Sequence, residues 1–536
     1  MPLFLAVALI TGIFLGNSLN NGNNQQLQNF NLSKSNKLST IVDLVSSAYV
    51  DSVSTSDLVE KAIPEVLKNL DPHTMYIPAK EMQEVTEEMS GNFGGIGVQF
   101  NVQADTVMVV DVVSGGPSSK LGILPGDRIV TVNDTLIAGV KVTNDKVMKL
   151  LRGDKGTKVN IGIKRKGIKE LIDFEITRGD IPIFSVDVSY MIDDVTGYIK
   201  VSRFAEQTYN EFMDGMNKLN KQGMQRVVID LRGNPGGYLG AVIKMVNELL
   251  EGGEPILYTQ GNSQPKKTYG ASEKGRFTKK EVVVLIDEFS ASASEIFAGA
   301  IQDNDRGWVV GRRSFGKGLV QEQIPLTDGS ALRLTVSRYY TPSGRCIQKS
   351  YKNGNEDYYQ DIMKRMVHGE FQQADSIHFA DSLKYKTTHG RTVFGGGGIM
   401  PDYFVPADTT GYSNYFSKLV QKRLIYEYAF EYADKNRDVL KKLKNTQDFN
   451  KYLTDKNILR LFVDFASRHG VPEEKEGLRI SGQIIDTQLK AYIARNILGD
   501  EGFFPIIKDI DNTLIKAIEV SKLPAPKNLN LPVTNQ

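Results

Sequence analysis

From Gly197 onward the chain alternates short apolar runs with amphipathic ones, and this alternation constrains the fold more than any other feature. Tyr198–Val201, Arg226–Leu231, Val282–Ile286 and Val309–Gly311 are rich in β-branched residues and read as strands. Asn210–Leu219, Leu239–Leu250 and Ser294–Gln302 repeat their apolar residues at helical spacing. Strands alternating with helices predict an α/β layer architecture. Gly318–Ile324 and Ala331–Tyr340 predict a hairpin around Asp328-Gly329. Residues 351–390 are polar and irregular and read as an insertion, after which Gly395–Val405 returns to a Gly-rich turn and a strand.

The flanking segments have different textures. Leu38–Met89 is helical in pattern, interrupted by Leu70-Asp71-Pro72-His73, because Pro72 disfavours helix for Asp71. Residues 91–181 carry strand-like runs separated by turns such as Pro125-Gly126-Asp127, with one helical stretch at Thr143–Leu151. Beyond Tyr412 the chain is helical and Lys-rich to about Val520. At the other end, Leu3–Leu15 is nearly all apolar, one secretory h-region long and short of a full span, and a polar run follows it. Residues 1–20 are therefore expected to be a signal peptide or membrane anchor, with export to the periplasm, and residues 21–35 a linker.

A chain of 536 residues exceeds one hydrophobic core. A net charge of +2 with no basic run gives no electrostatic case for nucleic acid. The single cysteine, Cys346, excludes an intrachain disulfide and a thiolate cluster. His73, His368, His378, His389 and His469 lie far apart without an HExxH, so zinc hydrolysis is not expected.

Three segments carry candidate chemistry. Ser290-Ala291-Ser292-Ala293-Ser294-Glu295-Ile296 joins a buried strand to a helix, where a serine hydroxyl can sit beside free helix N–H groups. Taken alone, such serines are more often helix caps. Ser314-Phe315-Gly316-Lys317-Gly318 sets a lysine between glycines at the start of a strand; a lysine serves as a base only when burial or a nearby cation lowers its pKa. Asp230-Leu231-Arg232-Gly233-Asn234-Pro235-Gly236-Gly237 is a strand-to-helix turn with exposed N–H groups, lacking the spacing of a nucleotide loop. Ser314–Lys317 also fits S-x-x-K, but the glycines around Lys317 argue against the single helix turn that chemistry needs, and neither S-D-N nor K-T-G is present.

Together these segments resemble the C-terminal processing peptidases, the tail-specific proteases of the S41 serine peptidase family. The resemblance runs from about Leu38 to Val405. It rests also on Leu70-Asp71-Pro72-His73, Gly94-Gly95-Ile96-Gly97, Tyr340-Thr341-Pro342-Ser343-Gly344-Arg345 and Gly398-Ile399-Met400-Pro401-Asp402. It implies a mixed α/β (α+β) fold: an N-terminal helical region (36–90), a PDZ domain (91–181), a crotonase-like ββα protease core (182–410) and a C-terminal helical region (411–536). It implies Ser292 as nucleophile, Lys317 as general base and Gln321, four positions on and so on the same strand face, as the residue orienting the lysine. The Ala293 N–H with that of Gly236 or Gly237 would form the oxyanion hole, and no metal or organic cofactor is required. Phe93, Gly94, Gly95, Ile96, Gly97 and Val98 would receive a peptide C-terminus, with Phe93 and Ile96 lining an apolar pocket, and Arg152 is a candidate regulatory latch. Protein substrates with accessible C-terminal tails are the expected partners, with a homodimer through the N-terminal helices, an adaptor and the membrane as further candidates. The competing expectation is a catalytically inactive PDZ scaffold.

Overall fold

The computed structural model describes residues 37–103, 105–377 and 380–528; the expected leader and linker lie outside them. Its central sheet is built from β1 (Val186–Met191), β2 (Thr196–Val201), β3 (Arg226–Asp230), β4 (Glu281–Ile286), β5 (Trp308–Gly311) and β8 (Tyr403–Phe404), in the order β1-β2-β3-β4-β5-β8. β1 runs antiparallel to β2 and the other pairs are parallel. Parallel strands need crossovers, which α1 (Thr208–Lys221), α2 (Leu239–Asn247) and α3 (Ala293–Asp303) supply. The strands are apolar at consecutive positions because both faces are covered. Val227, Ile229, Val282, Val284 and Val309 pack with the crossover helices. The alternate residues Val228, Val283, Leu285 and Val310 meet Leu514, Ala517 and Val520 from the far end of the chain.

A second sheet stands beside the first. The hairpin of β6 (Leu319–Pro325) and β7 (Ala331–Tyr340) forms as the sequence predicts. β7 also pairs with Pro255–Gln260 and with Met75–Ile77, so the segment after Leu70–His73 is stitched into the protease core. Residues 351–390 are less irregular than the sequence suggests. They hold α4 (Asn355–Val367), whose Tyr358, Tyr359, Ile362, Met363, Met366 and Val367 do recur at helical spacing, although only Tyr358 and Arg365 of the helix are buried.

Residues 98–177 form an antiparallel sheet around its own core of Val107, Ile129, Ile161 and Ile176, covered by the helix Asn144–Leu151. Pairing of Asn92–Gly95 with Gly179–Pro182 brings the two ends of this unit together. The C-terminal helices, dominated by α5 (Lys475–Leu498), enclose a separate core with Tyr415, Phe449, Phe462 and Leu489, and α6 (Asn512–Val520) closes the open face of the central sheet. No helix among the described residues is long and apolar enough to cross a membrane.

Ile229, fully buried in a central strand, tests this layering. Ile229→Ala should cost about 2–5 kcal/mol of stability through lost burial and the cavity left behind, read by urea unfolding followed through the fluorescence of the single tryptophan, Trp308, in β5.

Candidate active site

The strand-to-helix turn after β4 separates its three serines. Ser290 Oγ donates to the Leu231 carbonyl at 2.8 Å and Ser294 Oγ to the Asn234 carbonyl at 2.9 Å, so both are structural and fully buried. Ser292 differs. It caps α3 at φ 55°, ψ −112°, outside the regions an ordinary side chain prefers, and it is partly accessible. Strain of this kind persists only where the surroundings enforce it. Here they do: all of α3 is buried, and the Ser292 N–H donates to Glu295 Oε2 at 2.9 Å.

The glycine turn presses against this elbow. Gly236 has φ 102°, and a Cβ there would stand 2.7 Å from Ser292 Cβ and 2.9 Å from Ala293 N. Gly237 has φ 138°, and its Cβ would meet the Phe204 carbonyl at 2.0 Å. Only glycine fits either position. Their N–H groups differ in use. That of Gly236 donates to Asn234 Oδ1 at 2.8 Å, whereas among the described residues no acceptor engages the N–H of Gly237 or of Ala293. Two unspent donors therefore lie in the turn and the helix start that meet at Ser292, a pairing suited to a developing oxyanion.

Lys317 is tied to Ser292 through shared partners. Glu295, fully buried, accepts from the N–H groups of Gly316 at 2.7 Å and Lys317 at 2.8 Å, and from Ser314 Oγ at 2.5 Å, besides the Ser292 N–H. On the carbonyl side, the buried Tyr339 hydroxyl donates to the Lys317 carbonyl at 2.8 Å and lies 3.2 Å from that of Ser292. One carboxylate and one phenol thus hold the two segments in register. The sequence reading passed over both. Tyr339 carries no local signal, but Ser292 and Glu295 form an S-x-x-E pattern at the helix start, which could have drawn attention to the glutamate.

Burial sets the electrostatics. It is the first cause holding the Lys317 ammonium below the ordinary lysine range; Arg333 adds to it, and Glu295 and Asp71 oppose it. The Glu295 carboxyl is pushed up to about 7, again by burial, against the donors that favour its ionised form. His73 is lowered to about 4 by burial and then by Lys317, so its imidazole is neutral at pH 7.

Gln321 lies in β6, four residues beyond Lys317, and reaches the surroundings of the lysine through a relay. The Gln321 amide donates to Thr335 Oγ1 at 3.3 Å, and that hydroxyl donates to Asp71 Oδ1 at 3.1 Å. Asp71 is buried and also accepts from the His73 and Thr74 N–H groups and from Thr74 Oγ1. His73 Nε2 lies 2.9 Å from the Tyr358 hydroxyl of α4. The Asp71–His73 segment is thus a wall beside Lys317, a role its sequence does not reveal.

A groove of about 520 Å³ runs between Val98–Phe100 and the helix Asn144–Leu151, with Phe93, Gly95, Ile96 and Gly97 at one end. Among the described residues no acceptor engages the Ile96 or Gly97 N–H. The Gly94 carbonyl accepts from Gly153, which places Gly94 in the neck of the unit. Phe93 faces the groove, with the Arg152 guanidinium 4.3 Å from its ring centre. Ile96 also belongs to the core of this unit and is 2% exposed, so it is a buried wall more than an open contact.

The Glu295 pKa of about 7 lies above the ordinary 4.5 of the unfolded chain, so folding takes up protons at this site. Its contribution to stability is full below about pH 4.5 and is lost as pH rises through about 7. Glu295→Gln removes this titration and offers one acceptor oxygen to four donors, costing about 1–3 kcal/mol. In thermal melting the wild-type advantage over Glu295→Gln should shrink as pH rises across that interval, a difference in which the opposing gain from His73, lowered to about 4, cancels.

Comparison with known proteins places the chain in a family. Peptidase family S41 matches residues 195–356, and the PDZ domain family matches residues 94–176. Residues 415–499 match a family of unknown function. The carboxy-terminal-processing protease of Bartonella bacilliformis is 36% identical over 313 residues, which cover 58% of this chain and 71% of that protein. The carboxy-terminal processing protease CtpB of Bacillus subtilis is 35% identical over 319 residues, covering 58% of this chain and 65% of that protein. Among solved structures, the photosystem II D1 C-terminal processing protease is 28% identical with a TM-score of 0.33, covering 57% of this chain and 88% of that one. On this sequence relationship the chain belongs to the carboxy-terminal-processing proteases of peptidase family S41, serine-type peptidases, and it carries a PDZ domain.

Proposed function

We propose that the protein is an endopeptidase with a Ser292–Lys317 dyad, cleaving exported proteins whose C-terminal tails the PDZ domain captures. The observation that carries this reading is the shared Glu295 carboxylate, which binds the backbone N–H of both residues beside a lysine whose charged form burial disfavours. In the cycle, neutral Lys317 Nζ takes the proton of Ser292 Oγ as the oxygen attacks the scissile carbonyl carbon. The Ala293 and Gly237 N–H groups hold the resulting oxyanion. Lys317 returns the proton to the leaving amine as the C–N bond breaks. Water then attacks the ester, giving its proton to Lys317, and Ser292 leaves with that proton. Gln321, through Thr335 and Asp71, steadies the wall beside the lysine.

The PDZ groove supports the choice of substrate. An extended tail can add as a strand beside Val98–Gln103 while the Ile96 and Gly97 N–H groups meet its carboxylate. Arg152, stacked on Phe93 at that end of the groove, is placed to respond to an occupant. The apolar leader carries the enzyme to or across a membrane. The helices Lys37–Ala48 and Thr55–Leu67 bury none of their residues and border an apolar cleft of about 410 Å³, which suits pairing with a second copy.

The test is digestion of an unfolded protein with and without an apolar C-terminal tail. Wild type should cut the tailed form faster, and Ser292→Ala and Lys317→Ala should each lose cleavage while keeping the wild-type melting curve; equal cutting by Ser292→Ala ends the proposal. Because the Lys317 pKa is lowered from 10.5, the neutral base is gained as pH rises through the lowered value. kcat/KM should therefore climb with pH along a limb lying below 10.5.

A further inference from the structure

The glycine turn that meets Ser292 is gripped by a carboxylate from the opposite end of the chain. We infer that Asp511 is a positioning residue for the oxyanion loop, acting through Arg232. This rests on the assignment of the Gly237 N–H to the oxyanion.

The turn is anchored in stages. Asp230, 1% exposed at the end of β3, accepts from the Arg232 N–H at 2.9 Å and from its guanidinium at 2.6 Å, and it also receives the Tyr198 hydroxyl at 2.7 Å. The Arg232 carbonyl accepts from the Lys200 ammonium. The free edge of the guanidinium is taken by Asp511, Nη1 to Oδ1 at 2.8 Å and Nη2 to Oδ2 at 2.7 Å. This is a two-point, charge-assisted contact, which fixes orientation as well as distance. Next along the chain, the Gly233 N–H reaches Asp287, and Asn234 binds the Val201 carbonyl and the Gly236 N–H. Gly236 and Gly237 have no side chains of their own to hold them. On their downstream side they are bridged to Phe204, whose N–H donates to the Gly236 carbonyl at 3.0 Å and whose carbonyl accepts from the Tyr238 N–H at 2.7 Å; on their upstream side the anchors are Arg232 and Asn234.

Asp511 is itself fixed. Its Oδ1 accepts from the Leu514 N–H at 3.0 Å and caps α6, whose Leu514, Ala517 and Val520 are buried against the central sheet. Position 511 lies outside every segment matched by a known family, residues 94–176, 195–356 and 415–499. The contact therefore ties the oxyanion turn to a part of the chain those families do not describe.

Two variants of the full chain separate charge from cap. Asp511→Asn keeps a good helix cap and loses the charge and one acceptor oxygen; Asp511→Glu keeps the charge and loses the short cap. The readout is the rate at which a fluorophosphonate labels Ser292, a reaction that needs the oxyanion donors and no PDZ capture. For Asp511→Asn we expect that rate, and kcat for a tailed peptide, to fall about tenfold with KM nearly unchanged, as misplacement of a preorganised donor predicts. Asp511→Glu should label faster than Asp511→Asn even if it melts lower. Glu501→Gln, which loosens the same helical region from α1 by weakening the Lys218–Glu501 pair, should label like wild type. Wild-type labelling of Asp511→Asn overturns the inference, as does a rate that follows the cap instead of the charge, or equal slowing by Glu501→Gln. Wild-type protein that takes no label at Ser292, with the PDZ groove empty or filled by an uncleavable tail peptide, overturns the dyad reading as well.

Discussion

The active-site geometry depends on one buried carboxylate placed between two backbone turns. Glu295 accepts from Ser292, Gly316 and Lys317 N–H groups and from Ser314 Oγ, so the serine turn and the lysine turn cannot drift apart without orphaning a buried acceptor. Breaking such a bond inside a protein costs more than the bond contributes, because the abandoned group keeps its desolvation penalty. The arrangement has an electrostatic consequence too. An ionised Glu295 favours the charged form of Lys317, whereas burial and Arg333 favour the neutral one. Burial is the largest cause at both residues, pushing the glutamate up and the lysine down. Both shifts lean toward the neutral pair, the state in which a lysine can accept a proton.

The strain at Ser292 follows from the same framework. A non-glycine residue at φ 55° and ψ −112° is held there by a fully buried helix on one side and by glycines with no room for a Cβ on the other. The central sheet supplies the rigidity. β3 ends at Asp230 and β4 at Ile286, adjacent parallel strands whose C-terminal ends launch the glycine turn and the serine turn side by side. Ligand sites of α/β sheets gather at such strand ends because the loops there converge while the sheet stays fixed.

Much of this was legible in the sequence, for identifiable reasons. The alternation of strands and helices from Gly197, the hairpin around Asp328-Gly329 and the helical tail all leave local patterns, and local patterns are what a sequence displays. What failed to show needed contacts between distant residues. Asp71 and Thr335 meet only because Met75–Ile77 joins the sheet beside β7. Which of the Gly236 and Gly237 N–H groups stays unengaged is set by the Asn234 side chain taking that of Gly236. α4 is a different case: Tyr358, Tyr359, Ile362, Met363, Met366 and Val367 do repeat at helical spacing, but the charged residues between them make the segment read as polar.

The C-terminal helices touch both the protease core and the PDZ domain, but not with equal strength. Against the core they bury Leu514, Ala517 and Val520 in a continuous apolar cluster and add the two-point Arg232–Asp511 contact. Against the PDZ domain the polar links are Asn101 to the Tyr426 hydroxyl at 3.2 Å and Arg128 to Asp434 at 3.1 Å, the latter between side chains 34% and 19% exposed. A partly exposed ion pair of this kind contributes about 0–1 kcal/mol, while an apolar cluster gains with every side chain it removes from water. The helical region is therefore bound more firmly to the core than to the PDZ domain. A large cavity of about 960 Å³ already separates the three, lined by Phe93 and Val98 of the PDZ domain, Phe184 and Arg203 of the core, and Tyr426 and Arg495 of the helices. Relative motion of domains is the default where the interface is polar and small, and here the cavity lies beside the groove that would hold a tail. A strand bound along Val98–Gln103 would lie at the rim of that cavity, while the Arg232–Asp511 contact ties the glycine turn to helices packed on the central sheet.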